Sequence, residues 1–200
     1  MTKKIYVIRH GETVFNSEKK LQGHCNSPLT DKGKAQARSV GAELKKHLSG
    51  RNYQVYSSPL GRAVQTASVI CEAINFPQLD LLLDDRLKEF SLGAWEQQII
   101  PDLVENTPNL LEQRDWYLRA PQCEPYESVC NRLLSWLSEL PDEQDVVVVS
   151  HGLTGIVLRG ILQNYSYKDV WAQDLPQDAF FVVENGIAER VNCMLNDAVA

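Results

Sequence analysis

Two uninterrupted apolar runs punctuate the chain, Ile5-Tyr6-Val7-Ile8 and Val146-Val147-Val148-Val149. A strand with one wet face alternates apolar and polar residues; an unbroken run reads as a strand covered on both faces. Between the two runs the period changes. After Thr30, a residue type suited to capping a helix, Ala37, Val40, Gly41, Leu44 and Leu48 recur at helical spacing until Gly50. Val55-Tyr56-Ser57 reads as the end of a second strand. The turn Ser58-Pro59-Leu60-Gly61 then opens a helix with the face Ala63, Thr66, Ala67, Ile70 and Ile74. Residues 79–96 read as extended, then loop-like. Residues 97–125, broken by Pro101, Pro108, Pro121 and Pro125, read as a helical insertion beside the sheet.

Glu127 to Leu140 is predicted as a helix ended by Pro141, with Val129, Leu133, Trp136 and Leu137 on its face. A helix follows His151-Gly152 and carries Leu153, Ile156, Val157 and Ile161. Ala179 to Glu184, the pair Asn185-Gly186, and Ile187 to Cys193 read as a hairpin. Alternating strands and helices predict an α/β fold, a three-layer sandwich with a mixed, mostly parallel sheet and helices on both faces. The expectation is one domain over 1–200, with the insertion at about 97–125.

Composition narrows the function classes. The 200 residues carry 20 basic and 26 acidic side chains, a net charge of -6, which argues against a general nucleic-acid or anionic-membrane binder. After Met1-Thr2-Lys3-Lys4 only four apolar residues precede Arg9, too few for a signal-peptide core, and no run approaches a membrane span. The five cysteines, Cys25, Cys71, Cys123, Cys130 and Cys193, have scattered spacings and no CxxC, which predicts reduced thiols in a cytoplasmic protein. Cys25 beside His24 is a weak metal fragment, so no metal and no other cofactor is expected.

The chemistry concentrates at strand ends. The first apolar run leads into Arg9-His10-Gly11-Glu12, the second into Ser150-His151-Gly152. In an open parallel sheet ligands bind outside the carboxyl ends of the strands, so the two histidines are placed to converge. Arginine supplies a permanently charged fork for phosphate oxygens, and histidine a nucleophile or proton carrier near neutral pH. Arg62 stands where a helix begins, a position that favours anions, although a lone arginine there is more often a solvated residue. His47 follows two lysines at a helix end and reads as a solvated face; His24 is a candidate for the pocket rim. Glu12 and Glu89 are the carboxylate candidates. Apolar neighbours around Glu89 would keep it protonated, as a general acid needs.

These pieces resemble the histidine phosphatase superfamily, the group of cofactor-dependent phosphoglycerate mutases and related phosphatases. The resemblance rests on Arg9-His10-Gly11-Glu12-Thr13 with Asn16, Leu21-Gln22-Gly23 and Ser27-Pro28-Leu29-Thr30, on Tyr56 to Ala67, on Leu87 to Glu96, and on Val147 to Gly152. Four blocks in the family's order make it specific. It implies that His10 attacks phosphorus, that Arg9, Arg62 and His151 hold the phosphoryl oxygens, and that Glu89 protonates the leaving oxygen and then activates water. Asn16, Gln22 and Gly23 would bind substrate.

Within that resemblance the phosphatase branch fits better than the mutases, which carry a lysine after the third block and an adjacent arginine pair. Here Gln97-Gln98-Ile99-Ile100 follows Trp95-Glu96, and Arg114 and Arg119 are separated. The expected partner is a small phosphomonoester; the chain does not declare its oligomeric state, and a homodimer is compatible with it. Gln97 and Tyr126 replace glycines common in the family. Tyr126, Trp116, Tyr117, Arg114 and Arg119 are therefore candidate specificity residues, with packing of the insertion the competing account. The alternatives are a phosphoglycerate mutase and a non-catalytic phospholigand-binding module.

Overall fold

A computed structural model describes residues 2–194. Its six strands are β1 (Ile5–Arg9), β2 (Tyr53–Ser57), β3 (Leu82–Leu83), β4 (Asp145–Ser150), β5 (Ala179–Glu184) and β6 (Ile187–Asn192). They form one sheet in the order β3-β2-β4-β1-β5-β6. The first four in that order are parallel, and β5 and β6 add an antiparallel edge. The helices are α1 (Val14–Ser17), α2 (Asp31–His47), α3 (Gly61–Ile74), α4 (Ile100–Asn106), α5 (Tyr126–Ser138), α6 (Gly152–Leu162) and α7 (Tyr167–Ala172).

The two apolar runs are buried on both sides because successive strand residues point to opposite faces. Ile5, Val7, Val146 and Val148 pack with Leu133 and Trp136 of α5 and Ile156 and Val157 of α6. Tyr6, Ile8, Val147 and Val149 pack with Val40 and Leu44 of α2 and Ala63, Ala67 and Ile70 of α3. The result is three layers, as the alternation predicts. Each fully buried aliphatic side chain contributes about 1.5–3 kcal/mol of transfer free energy, so these two faces dominate the stability of the sheet.

Local signals place most elements within two or three residues. Thr30 Oγ1 accepts from Gly33 N at 3.0 Å and caps α2, which stops at His47, before the expected Gly50. The helix expected over Glu127–Leu140 starts at Tyr126 and ends at Ser138. Asn185 and Gly186 have φ of 51° and 76°, the positive pair a tight hairpin turn requires.

Four details refine or depart from the sequence reading. The polar loop after β1 contains α1, a single turn capped by Thr13 and closed by Asn16. The extended stretch after residue 79 shrinks to Leu82–Leu83, followed by 3₁₀ turns at Asp85–Leu87 and Gly93–Trp95. Residues 97–125 hold α4 and further 3₁₀ turns, one of which, Trp116–Arg119, stacks Tyr117 on Trp116 at 3.9 Å. Helix α7 went unpredicted because six residues are too few to establish a period. Among the described residues no helix is long and apolar enough to cross a membrane.

Candidate active site

Strands β1 and β4 are neighbours in register, with Arg9 opposite Ser150. His10 N donates to Ser150 O at 3.0 Å, and the rings of His10 and His151 stand 5.2 Å apart, edge to face. The convergence inferred from two strand ends therefore follows from strand adjacency. Gly11 is required for backbone reasons: a Cβ there would sit 2.3 Å from Gly33 O at the start of α2.

His10 is held in one tautomer. Its Nδ1 lies 2.8 Å from Gly11 O, which can only accept, so Nδ1 carries the hydrogen. Nε2 is then an acceptor, and it takes the Nε proton of Arg62 at 3.1 Å. Burial, then the charges of Arg62 and Arg9, push the His10 imidazolium well below the usual histidine range, against the opposing Gly11 bond. The ring is neutral at physiological pH, with a lone pair on Nε2. His151 is lowered by burial and by Arg62, His10 and Arg9. Its Nε2 lies 2.8 Å from Ser58 Oγ, which already accepts from Leu60 N, while its buried Nδ1 has no partner among the described residues.

Arg62, on the first turn of α3, is almost completely buried. Its fork donates to Cys25 O at 2.9 Å and Gly23 O at 2.7 Å. Gly23 adopts φ of 51°, and a Cβ there would meet the Glu96 carboxylate at 2.2 Å, so glycine is needed where the loop turns its carbonyl onto Arg62. Burial lowers Arg62 to about 10, which still leaves it charged at neutral pH. Arg9 donates Nη1 to Leu175 O, and its buried Nε has no partner among the described residues.

Glu89 lies in the same cleft, but its surroundings correct the expectation of apolar neighbours. Thr154 N donates to Oε1 at 2.9 Å, Phe90 N to Oε1 at 3.1 Å, and Leu153 N to Oε2 at 3.1 Å, while the Thr154 hydroxyl stands between Glu89 Oε1 at 2.9 Å and Lys88 O at 2.8 Å with one proton for the two. Two of these donors are free N–H groups in the first turn of α6, a natural carboxylate seat. Asn16 Oδ1 accepts from Thr13 N at 3.2 Å and from Gln177 Nε2 at 3.1 Å. Gln22 Oε1 accepts from Thr13 Oγ1 at 3.0 Å. With both oxygens occupied, each amide has its NH₂ group left for the cleft.

Arg9, His10, Asn16, Gln22, Gly23, Arg62 and Glu89 line one cleft of about 120 Å³. His151 instead lines a smaller cavity, with Gly155, Arg159 and Phe181, that shares Arg9, Gly152 and Leu175 with the cleft. Of the specificity candidates only Tyr117 reaches the cleft. Trp116 is buried behind it, Arg114 donates to Ala172 O in a neighbouring groove, Arg119 is exposed, and Tyr126 packs on Tyr167 at 4.9 Å. His24 reaches Glu89 O with Nε2 at 2.8 Å, at the cleft edge. Glu12 is engaged by Lys32 and Thr30 at the start of α2. Thr13 and Ser58 fall inside the first and second motif blocks but carry no role there, and Lys20 in the cleft wall and Gln177 lie outside the blocks, where nothing in their local sequence distinguishes them from surface polar residues.

Comparison with known proteins identifies the family and the fold. The family model of the histidine phosphatase superfamily (branch 1) matches residues 5–189. A protein of Escherichia fergusonii named "Probable phosphoglycerate mutase GpmB" is 38% identical over 157 residues, covering 74% of this chain and 69% of that protein. Among solved structures, Bacillus stearothermophilus YhfR superposes with a TM-score of 0.75 at 25% identity, covering 99% of this chain and 98% of the other. A mycobacterial glucosyl-3-phosphoglycerate phosphatase, solved with VO3, shares the fold at a TM-score of 0.73 and 24% identity, covering 90% of each chain. The match begins in β1, where the first histidine leaves the sheet, and runs into β6: this chain belongs to the histidine phosphatase superfamily, branch 1.

Proposed function

We propose that the protein is a phosphomonoesterase that hydrolyses a small phosphorylated metabolite through a phosphohistidine on His10. The observation that carries this reading is the state of His10: a neutral ring, its Nδ1 tied to Gly11 O, its Nε2 lone pair aimed at Arg62 in a cleft shared with Arg9 and Glu89. As substrate enters, Arg62 turns its Nε–H from His10 to a phosphoryl oxygen and frees the Nε2 lone pair; Nε2 attacks phosphorus while the ester P–O bond breaks, and Glu89, entering the cycle in its protonated form, passes that proton to the departing oxygen. Water then attacks the phosphohistidine, Glu89 takes its proton, and phosphate leaves with His10 restored. Phosphoryl transfer depends mainly on position and charge stabilisation. Arg9 and Arg62 supply fixed positive charge, Asn16 and Gln22 supply amide donors, and His151, its ring 5.2 Å from that of His10, supports the phosphoryl group beside the nucleophile. Such a donor set suits an anion and offers a cation only the Glu89 carboxylate, so the chemistry runs without a metal.

The names of the relatives favour a second reading, a phosphoglycerate mutase. That activity needs a further free cation for the glycerate carboxylate. Lys20 is the remaining cation of the cleft wall, and it pairs with Glu18 at 2.7 Å. This supports the phosphatase reading. The deciding experiment supplies 3-phosphoglycerate with and without a bisphosphoglycerate primer: phosphate release without primer is expected, and fast primer-dependent isomerisation would establish the mutase. An acid-labile, base-stable phosphoryl group trapped on the wild type and absent from His10→Ala separates both from a non-catalytic binding module.

A further inference from the structure

We propose that Gln177, in the connection between α7 and β5, is a positioning residue for phosphoryl binding, acting through Asn16; the inference rests on the phosphatase reading of the cleft. Gln177 Nε2 donates to His10 O at 3.2 Å and to Asn16 Oδ1 at 3.1 Å. Both partners are acceptors, so the orientation of the Gln177 amide is dictated by its surroundings. Gln177 is half-buried and does not line the cleft, so it acts on substrate only at second hand.

Its effect falls on the direction in which Asn16 presents its amide. A carbonyl oxygen accepts two hydrogen bonds, and Asn16 Oδ1 receives two, from Thr13 N and from Gln177. The Nδ2 group is thereby the end offered to the cleft. A phosphoryl oxygen needs a donor, so a flipped Asn16 would present a repelling carbonyl instead. Thr13 alone fixes one of the two bonds; Gln177 supplies the other and ties Asn16 to the backbone of the nucleophile.

The segment around Gln177 is anchored for this task. Gln173 Nε2 donates to Ile156 O at 2.8 Å and Val170 O at 3.1 Å, and Asp174 pairs with Arg190. Leu175 O accepts from Arg9 Nη1. One six-residue connection, 173–178, therefore touches Arg9, His10 and Asn16, with Leu175 in the cleft wall and Gln177 behind it.

The test uses Gln177→Glu, Gln177→Leu, Asn16→Ala and the Asn16→Ala double variants, with vanadate inhibition, KM and kcat measured on the full chain. A carboxylate at 177 would face two carbonyl oxygens and is relieved when Asn16 turns its Nδ2 towards it. Removing or inverting a donor to a charged ligand is expected to raise the vanadate Ki about tenfold in Gln177→Glu, more than in Gln177→Leu, with KM rising more than kcat falls. In the Asn16→Ala background the further change should be under about twofold, the mark of an effect that runs through Asn16. Should Gln177→Glu fail to fold, Gln177→Leu completes the same cycle. Wild-type affinity for vanadate in the Gln177 variants, or losses that multiply with Asn16→Ala, would overturn the inference alone. A wild type that binds neither vanadate nor phosphate would overturn the phosphatase reading instead.

Discussion

Arg62 gives its Nε proton to His10 Nε2 across 3.1 Å, the same nitrogen that stands free of a hydrogen because Nδ1 is bound to Gly11 O. A cation and the proposed nucleophile are thus partners, and the pairing favours the neutral ring. Charge stabilisation and nucleophile preparation are two consequences of one contact.

Arg62→Lys should therefore fail despite keeping the charge. A lysine ammonium cannot reproduce a planar fork that serves His10, Gly23 and Cys25 together. Each buried carbonyl left unpaired costs about 1–3 kcal/mol. Urea denaturation should show a stability loss in that range and vanadate inhibition should weaken sharply. Inhibition equal to wild type would remove Arg62 from the phosphate site.

The two histidines make stability depend on pH in a defined direction. Both are lowered in the folded protein, chiefly by burial, whereas the unfolded chain titrates near the usual value of about 6.5. Below that value the unfolded state binds protons that the folded state refuses. Stability is complete above about pH 6.5 and declines as pH falls, by up to about 1.4 kcal/mol per pH unit for each histidine. Urea midpoints measured from pH 7.5 to 5.5 should fall, and His10→Asn should flatten the slope. A slope of the opposite sign would refute the neutral, buried pair.

Glu89→Gln separates proton transfer from packing. Hydrolysis of an alkyl phosphate, whose alkoxide needs a proton, should slow far more than hydrolysis of p-nitrophenyl phosphate, whose leaving group scarcely needs one. Equal losses on the two esters would assign Glu89 a purely structural role at the start of α6.

The glycines after the two histidines should behave differently. At Gly11 a methyl group would collide with backbone atoms of Gly33, the nearest at 2.3 Å; at Gly152 it would make ordinary contact with Arg9 at 3.4 Å. Gly11→Ala should lower the melting temperature and the activity together, while Gly152→Ala should fold normally. Comparable melting temperatures for the two variants would contradict the close approach of α2 to the loop after His10.

The apolar runs, the periodic faces of α2, α3 and α5, and the Asn-Gly turn were legible in the chain because each is decided by neighbours within a few residues. The same holds for the strand-end positions of Arg9, His10 and His151, since a covered strand ending in a reactive side chain is a local pattern. What the sequence by itself determined was the architecture and the residues facing the strand ends. Tertiary structure alone decided the state of those residues. The partner of His10 Nε2 is Arg62, 52 positions away; the seat of Glu89 depends on α6, and the direction of Asn16 on Gln177, 161 positions away. Such contacts leave no periodic trace, because a hydrogen bond between remote loops requires only one suitable residue at each end.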